Sequence, residues 1–203
     1  HLGAGSSLCA VKDGKSFDTT MGFTPLTGVT MATRSGDVDV ELVTYMMKKL
    51  NITDPEEMIS ILTRHSGLLG ISDISSDMRD VIAAKDAGNK RAQIAVTLFV
   101  KNIVRYIGQY YAEMKGLDGI VFTAGIGENS DVIRKLVCDE LEFMGVKLDD
   151  TLNSKGEEGF ITKPDSKIAA LLVPTDEELM ISRDIEVIKL QEQKEISSKK
   201  PLL

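Results

Sequence analysis

From Asn89 to Lys115, apolar side chains recur at Ala92, Val96, Phe99, Ile103, Ile107, Tyr110 and Met114, a single stripe of helical period. A helix of that kind must set its face against other elements, and 203 residues are enough to bury a sizeable core. The partners are legible on either side. Ile120–Thr123 reads as a buried-type strand and Ile168–Val173 as an all-apolar one. Each leads into a predicted helix, from Asn129 or Ser130 to Met144 and from Thr175 to about Gln193. Upstream, Leu8–Val11 and Ser16–Thr19 flank Lys12-Asp13-Gly14-Lys15, and Asp-Gly between short strands predicts a hairpin. Further helices are expected over Val40–Leu50, from Asp54-Pro55-Glu56-Glu57 onward, and from near Asp77 to Ala87. A hairpin, a helical insert over about 40–115, then strand-helix-strand-helix describes an α/β domain with a mixed sheet.

The formal net charge is −7 with no basic stripe, which argues against nucleic acid and anionic membrane as partners. A polyanion such as a nucleotide would need a local site of glycine backbone, arginine and metal. The two cysteines, Cys9 and Cys138, stand in no ligand spacing and read as reduced core residues of a cytoplasmic protein. The chain opens on His1-Leu2-Gly3, read as the end of a strand running into a glycine turn, and the expectation is a truncated chain. Gln191–Leu203 is lysine-rich and polar, a tail expected to fray beyond a domain ending near 190.

Four segments carry candidate chemistry, and each has a plainer reading. Gly125-Ile126-Gly127-Glu128-Asn129 lies between a strand and a helix, where main-chain amides can approach a phosphate. It serves equally as a tight turn with Ser130 as cap. Gly3-Ala4-Gly5-Ser6-Ser7 is a second phosphate cradle or a β-turn. Arg34 sits in the irregular stretch Thr20–Asp39, where its fork suits a transferring phosphoryl group. The alternative pairs it with Asp37 or Asp39. Thr175 and Glu178 form a capping box, which leaves Glu177 to hold Mg²⁺ or to favour the helix dipole. Asp77-Met78-Arg79-Asp80 reads as a charged first turn, and His65 as a turn or cap residue.

The order of these pieces is more specific than any one of them. His1-Leu2-Gly3, Met21-Gly22-Phe23-Thr24-Pro25-Leu26, Thr33-Arg34-Ser35-Gly36-Asp37, Asp77-Met78-Arg79-Asp80, Phe122–Ser130 and Pro174–Leu179 together resemble the C-terminal half of the acetate kinase family. The resemblance covers nearly the whole chain, to about residue 190. It implies a ribonuclease-H-like, actin-like fold, transfer of the γ-phosphoryl group of ATP to acetate, and Mg²⁺ with ATP or ADP. On it, His1, Gly3, Ala4 and Gly5 lie near the β- and γ-phosphates, and Asp77, Met78 and Arg79 flank the adenosine. Gly125, Ile126, Gly127, Glu128 and Asn129 close the nucleotide site, Arg34 stabilises the transferring group, and Glu177 helps place the metal. The family's N-terminal domain, with most of the acetate pocket, is absent, and a homodimer is implied. One departure is Ala4, where the family usually has Asn. Two alternatives stand beside this reading: a propionate kinase, and a non-catalytic nucleotide-binding or dimerisation module.

Overall fold

The computed structural model describes residues 1–198, in two units, His1–Val173 and the stretch from Pro174 onward. In the first unit, β1 (Cys9–Lys12) and β2 (Lys15–Thr19) pair antiparallel from Cys9↔Thr19 to Lys12↔Lys15. Asp13 and Gly14 turn the chain at φ 52° and 72°, the two positive values a primed hairpin turn requires. Residues 20–39 then run without helix or strand.

Carboxylates start the next helices. Asp39 accepts from the Glu41 amide (2.8 Å) ahead of α1 (Val40–Leu50), and Asp54 from the Glu56 amide (3.0 Å) ahead of α2 (Pro55–Arg64). His65 closes α2 as its C-cap. Beyond it, where the sequence shows only a Ser-Gly break, lies α3 (Gly67–Ser72), six residues and too short to display a period. Next come α4 (Met78–Asp86), capped by Asp77, and α5 (Lys90–Met114). Asn89 caps α5 by accepting from the Arg91 and Ala92 amides, and Lys115 ends it at φ 63°.

The expected stripe on α5 is the buried one: Ala92, Val96, Phe99, Ile103, Ile107 and Tyr110 all lie in the core. Helices α3 and α4 pack against α5, joined by α7 (Asp131–Glu140) from the following βα segment. That segment begins with β3 (Gly119–Phe122) and α6 (Ala124–Asn129). The helix expected from Asn129 or Ser130 is α7, which Ser130 caps by accepting from the Ile133 amide. It ends at Glu140, short of the expected Met144, in a 3-10 turn over Glu142–Met144, and the short α6 ahead of it was not expected.

Next follow α8 (Asp150–Lys155), β4 (Gly159–Phe160) and β5 (Ala169–Leu172). Strands β3 and β5 pair in parallel and β4 adds antiparallel to β5, giving the mixed sheet in the order β3-β5-β4. Gly156–Pro164, expected as a surface loop, thus contributes β4, two residues that no alternation could announce.

One edge of each sheet faces a common groove. Leu8–Val11 and Gly119–Thr123 line it with Ile103, Ile107 and Tyr110 of α5, around a cavity of about 360 Å³. In the second unit, α9 (Glu177–Ser198) starts later than expected, and Asp176 accepts from the Leu179 amide (2.9 Å) in the capping position assigned to Thr175. The tail expected to fray is helical through Ser198, and residues 199–203 lie outside the described residues. No described helix is long and apolar enough to cross a membrane.

Burial separates the two thiols. Cys138 is in the core on the buried face of α7, and desolvation pushes its pKa up to about 12, whereas Cys9, expected in the core, lies exposed on the short β1. A disulfide-exchange reagent at neutral pH is expected to titrate Cys9 rapidly and Cys138 only after unfolding. Two fast thiols in the native protein would contradict this packing.

Candidate functional site

Residues 1–7 form a closed turn that sits directly on the first turn of α6. The Ser7 amide donates to the His1 carbonyl (2.9 Å), the Gly3 amide to Gly5 (3.0 Å), and the Ser6 hydroxyl to Gly3 (3.1 Å). The Leu2 amide donates to Thr123 at the end of β3 (2.9 Å). The Leu2 carbonyl accepts from the Ile126 (2.7 Å) and Gly127 (3.0 Å) amides. Glu128 reaches back to the Ala124 amide (2.7 Å), and Ala124 holds a left-handed φ of 66°. The two glycine segments picked out in the sequence are therefore neighbours, and three amides at the start of α6 are already satisfied by protein oxygens. Gly125 and Asn129 are the exposed members of the segment, and the Asn129 side chain donates to the Gly125 carbonyl (2.9 Å). Gly127 is buried, with Phe122 and Leu2 in van der Waals contact with the position of a Cβ.

Arg34 reaches the same turn from the irregular stretch. Val29, Thr30, Met31 and Ala32 are buried and anchor that stretch in the unit. The Ala32 amide donates to the Ala4 carbonyl (3.1 Å), while the Leu68 and Leu69 amides of α3 donate to Met31 (2.8 Å) and Ala32 (3.0 Å). So anchored, the Arg34 guanidinium lies across Gly5. A Cβ at Gly5 would sit 3.0 Å from Nη2, tighter than ordinary contact allows. Nη1 donates to the Pro25 carbonyl (2.8 Å), and among the described residues Arg34 makes no ion pair. The pairing with Asp37 or Asp39 offered by the sequence does not form. Between these parts lies a cavity of about 440 Å³ lined by His1, Gly3–Ser7, Met21, Pro25, Met31 and Arg34. Three separate sequence motifs meet in it.

The other candidates stand apart from this cavity's lining. Asp77 caps α4, and the Arg79 side chain folds back onto it, Nε to Oδ1 at 3.0 Å. Those bonds hold the Asp77 carboxyl down at about 2, and Arg79 itself is exposed. Met78 points into the core. Glu177 opens α9 in the second unit. No group of three or more His, Cys, Asp or Glu side chains among the described residues is arranged to hold a metal.

Arg134 is the residue that sequence reasoning passes over. It is the largest fully buried side chain among the described residues, on α7, and its guanidinium donates to four oxygens. These are the Gly127 carbonyl (2.9 Å), the Glu128 carbonyl (2.7 Å), Asn153 Oδ1 (2.7 Å) and the Asn153 carbonyl (2.6 Å). The fork thus clamps the C-terminal end of α6 to α8, and helix-end carbonyls offer the partial negative charge a buried cation needs. Burial lowers its pKa, and nearby Asp131 offsets part of that. A signal was present: Ile133, Val137 and Cys138 are the buried face of α7, and Arg134 shares it.

The same chain aligns along most of its length with known proteins. The Acetokinase family matches residues 1–183. The acetate kinase of Fructilactobacillus sanfranciscensis is 58% identical over 189 residues, 93% of this chain and 47% of the relative. That of Limosilactobacillus fermentum is 53% identical over 192 residues, 94% of this chain and 48% of the relative. Among solved structures, the acetate kinase of Porphyromonas gingivalis superposes with TM-score 0.87 at 42% identity, covering 93% of this chain and 47% of that one. A propionate kinase from Francisella tularensis gives 0.83 at 40%, covering 89% and 46%. The chain spans about half the length of the curated relatives it matches. Its mixed α/β fold is that of the acetate kinase structures, and the chain belongs to the acetokinase family.

Proposed function

We propose that this chain supplies the nucleotide-binding half of an acetate kinase, which transfers the γ-phosphoryl group of ATP to acetate. The observation that carries the reading is the cavity in which the His1–Ser7 turn meets Arg34, a cation with no ion pair among the described residues. In the transfer, a carboxylate oxygen of acetate bonds to the γ-phosphorus as the bond to the β,γ-bridging oxygen breaks, giving acetyl phosphate and ADP. Acetate is already an anion, so the step needs no strong base. It needs alignment and neutralised charge. His1, Gly3, Ala4 and Gly5 line the phosphate side, and Arg34 donates to the oxygens of the transferring group. Asp77, Arg79 and the main chain of Met78 flank the adenosine, and Gly125–Asn129 bound the nucleotide.

Mg²⁺ would come with the nucleotide, since it commonly takes one or two carboxylates and completes its shell with phosphates and water. Glu177 is the carboxylate we assign to it, and the ion would neutralise the phosphate oxygens. The free thiols suit a cytoplasmic enzyme, and we expect a homodimer. The Francisella likeness keeps propionate as a second acceptor, because one methylene is worth only about 1–3 kcal/mol of discrimination.

Calorimetric titration of the chain with MgADP and pyrophosphate tests the reading. MgADP is expected to bind more tightly, and Arg79→Ala or Gly127→Val to weaken it about tenfold or more. Adding the matching N-terminal half of a relative is expected to restore acetyl phosphate formation. Equal affinity for both ligands, with no activity on reconstitution, would leave a non-catalytic module as the better account.

A further inference from the structure

We propose that Asp37 is the positioning residue for Arg34, closing the base of the Arg34 loop and tying it to α5; this rests on the role given to Arg34 above. Asp37 and Gly28 bind each other twice. The Gly28 amide donates to Asp37 Oδ1 (2.8 Å), and the Asp37 amide donates to the Gly28 carbonyl (2.9 Å). That reciprocal pair pinches residues 28–37 into a closed loop. The other carboxylate oxygen, Oδ2, accepts from the Tyr106 hydroxyl (2.6 Å) and Arg105 Nη2 (2.9 Å), one residue apart on α5. One side chain therefore fixes the loop's mouth to the longest helix of its unit.

The same bonds keep Asp37 from pairing with Arg34. Asp37 is three positions along the chain and is the carboxylate a lone arginine there would be expected to meet. Arg105 and Tyr106 hold it on the far side of the loop, and Arg34 turns to Pro25 and Gly5 instead. The Asp37 and Arg105 side chains are 40% and 57% exposed, so their ion pair adds little stability. Its effect is geometric. With the Asp37 carboxylate removed, the main-chain bonds of the loop to Gly28, to Leu62 of α2 and to α3 remain. Its side-chain ties to the Gly28 amide, Arg105 and Tyr106 are lost, and the Arg34 side of the loop loosens.

A double-mutant cycle on the full chain tests this, with inorganic pyrophosphate as the probe. Arg34→Ala and Asp37→Asn are each expected to weaken pyrophosphate binding, Asp37→Asn by roughly five- to tenfold. The double variant is expected to bind no more weakly than Arg34→Ala alone, because Asp37 acts through Arg34. Tyr106→Phe should speed hydrogen exchange at the Gly28 amide and broaden the Arg34 Nε–H resonance. Asp73→Asn, which breaks the comparable exposed pair with Arg91 on α5, should do neither. Additive losses in the cycle, or an Arg34 resonance unchanged in Asp37→Asn and Tyr106→Phe, would overturn the positioning role alone. An Arg34→Ala variant that binds as well as the wild type would overturn the role of Arg34, and this proposal with it.

Discussion

Replacing Arg134 with methionine is expected to destabilise the chain by roughly 3 kcal/mol, well beyond the loss of an exposed ion pair such as Lys147–Asp165. The sign is not obvious, because a buried cation is itself costly and an apolar side chain of similar length relieves that cost. The acceptors decide it. Arg134 satisfies two carbonyls at the end of α6 and both the side-chain and main-chain oxygens of Asn153. A thioether donates to none of them, and a buried acceptor left without a donor costs about 1–3 kcal/mol. Four such losses outweigh the relief. Lysine should recover only part, since one ammonium cannot span the positions of a planar fork. Thermal unfolding should show a midpoint lower by roughly 6–12 °C for Arg134→Met, with Arg134→Lys between it and the wild type. A methionine variant within about 1 °C of the wild type would mean that the helix end finds its donors elsewhere.

Gly67→Ala is expected to cost about as much, through the backbone rather than a side chain. Gly67 begins α3 at φ 61°, and a Cβ there would stand 2.3 Å from the Met31 carbonyl oxygen and 2.7 Å from that of Arg34. Both are main-chain atoms held by other bonds, so neither side can yield cheaply. The left-handed conformation alone costs a non-glycine residue about 1–2 kcal/mol. Pushing the Arg34 loop off α3 adds the loss of the Leu68 and Leu69 amide bonds to Met31 and Ala32. Gly156→Ala separates the two costs. Gly156 has almost the same φ, 65°, with nothing within 4 Å of a Cβ. Urea titration should place Gly156→Ala about 1 kcal/mol below the wild type and Gly67→Ala roughly 3 kcal/mol below. Equal losses would show that no steric conflict exists at Gly67.

These two residues also mark where the sequence was legible and where it was not. The α5 stripe, the Asp-Gly hairpin, the Asp54 cap and the helix starts near Asp77 and Asn89 were readable because each rests on neighbours in the chain. Helices α3, α6 and α8 have six residues each, below the length at which a period separates from chance, and short helices of this kind lean on tertiary contacts. The approach of the Arg34 loop to the His1–Ser7 turn was foreseen only through family resemblance, since nothing local to Arg34 specifies Gly5 as its neighbour. The choice of Arg105 over Arg34 as partner of Asp37 depends on contacts 68 residues apart, which no local pattern encodes.

The groove between β1 and β3 bears on how this chain behaves among its own copies. Strand β3 has β5 on one side only, and Val121 at its centre is 54% exposed. Its outer main-chain groups form no ladder among the described residues, and the neighbouring floor is apolar. An open edge over such a floor offers a foreign strand hydrogen bonds and dehydration together, the combination that seeds intermolecular sheet growth. At four residues β3 is short, which limits the length of any such growth. High concentration of the chain is therefore the condition under which this edge becomes a liability, and a charged residue at position 121 is the change that blunts it.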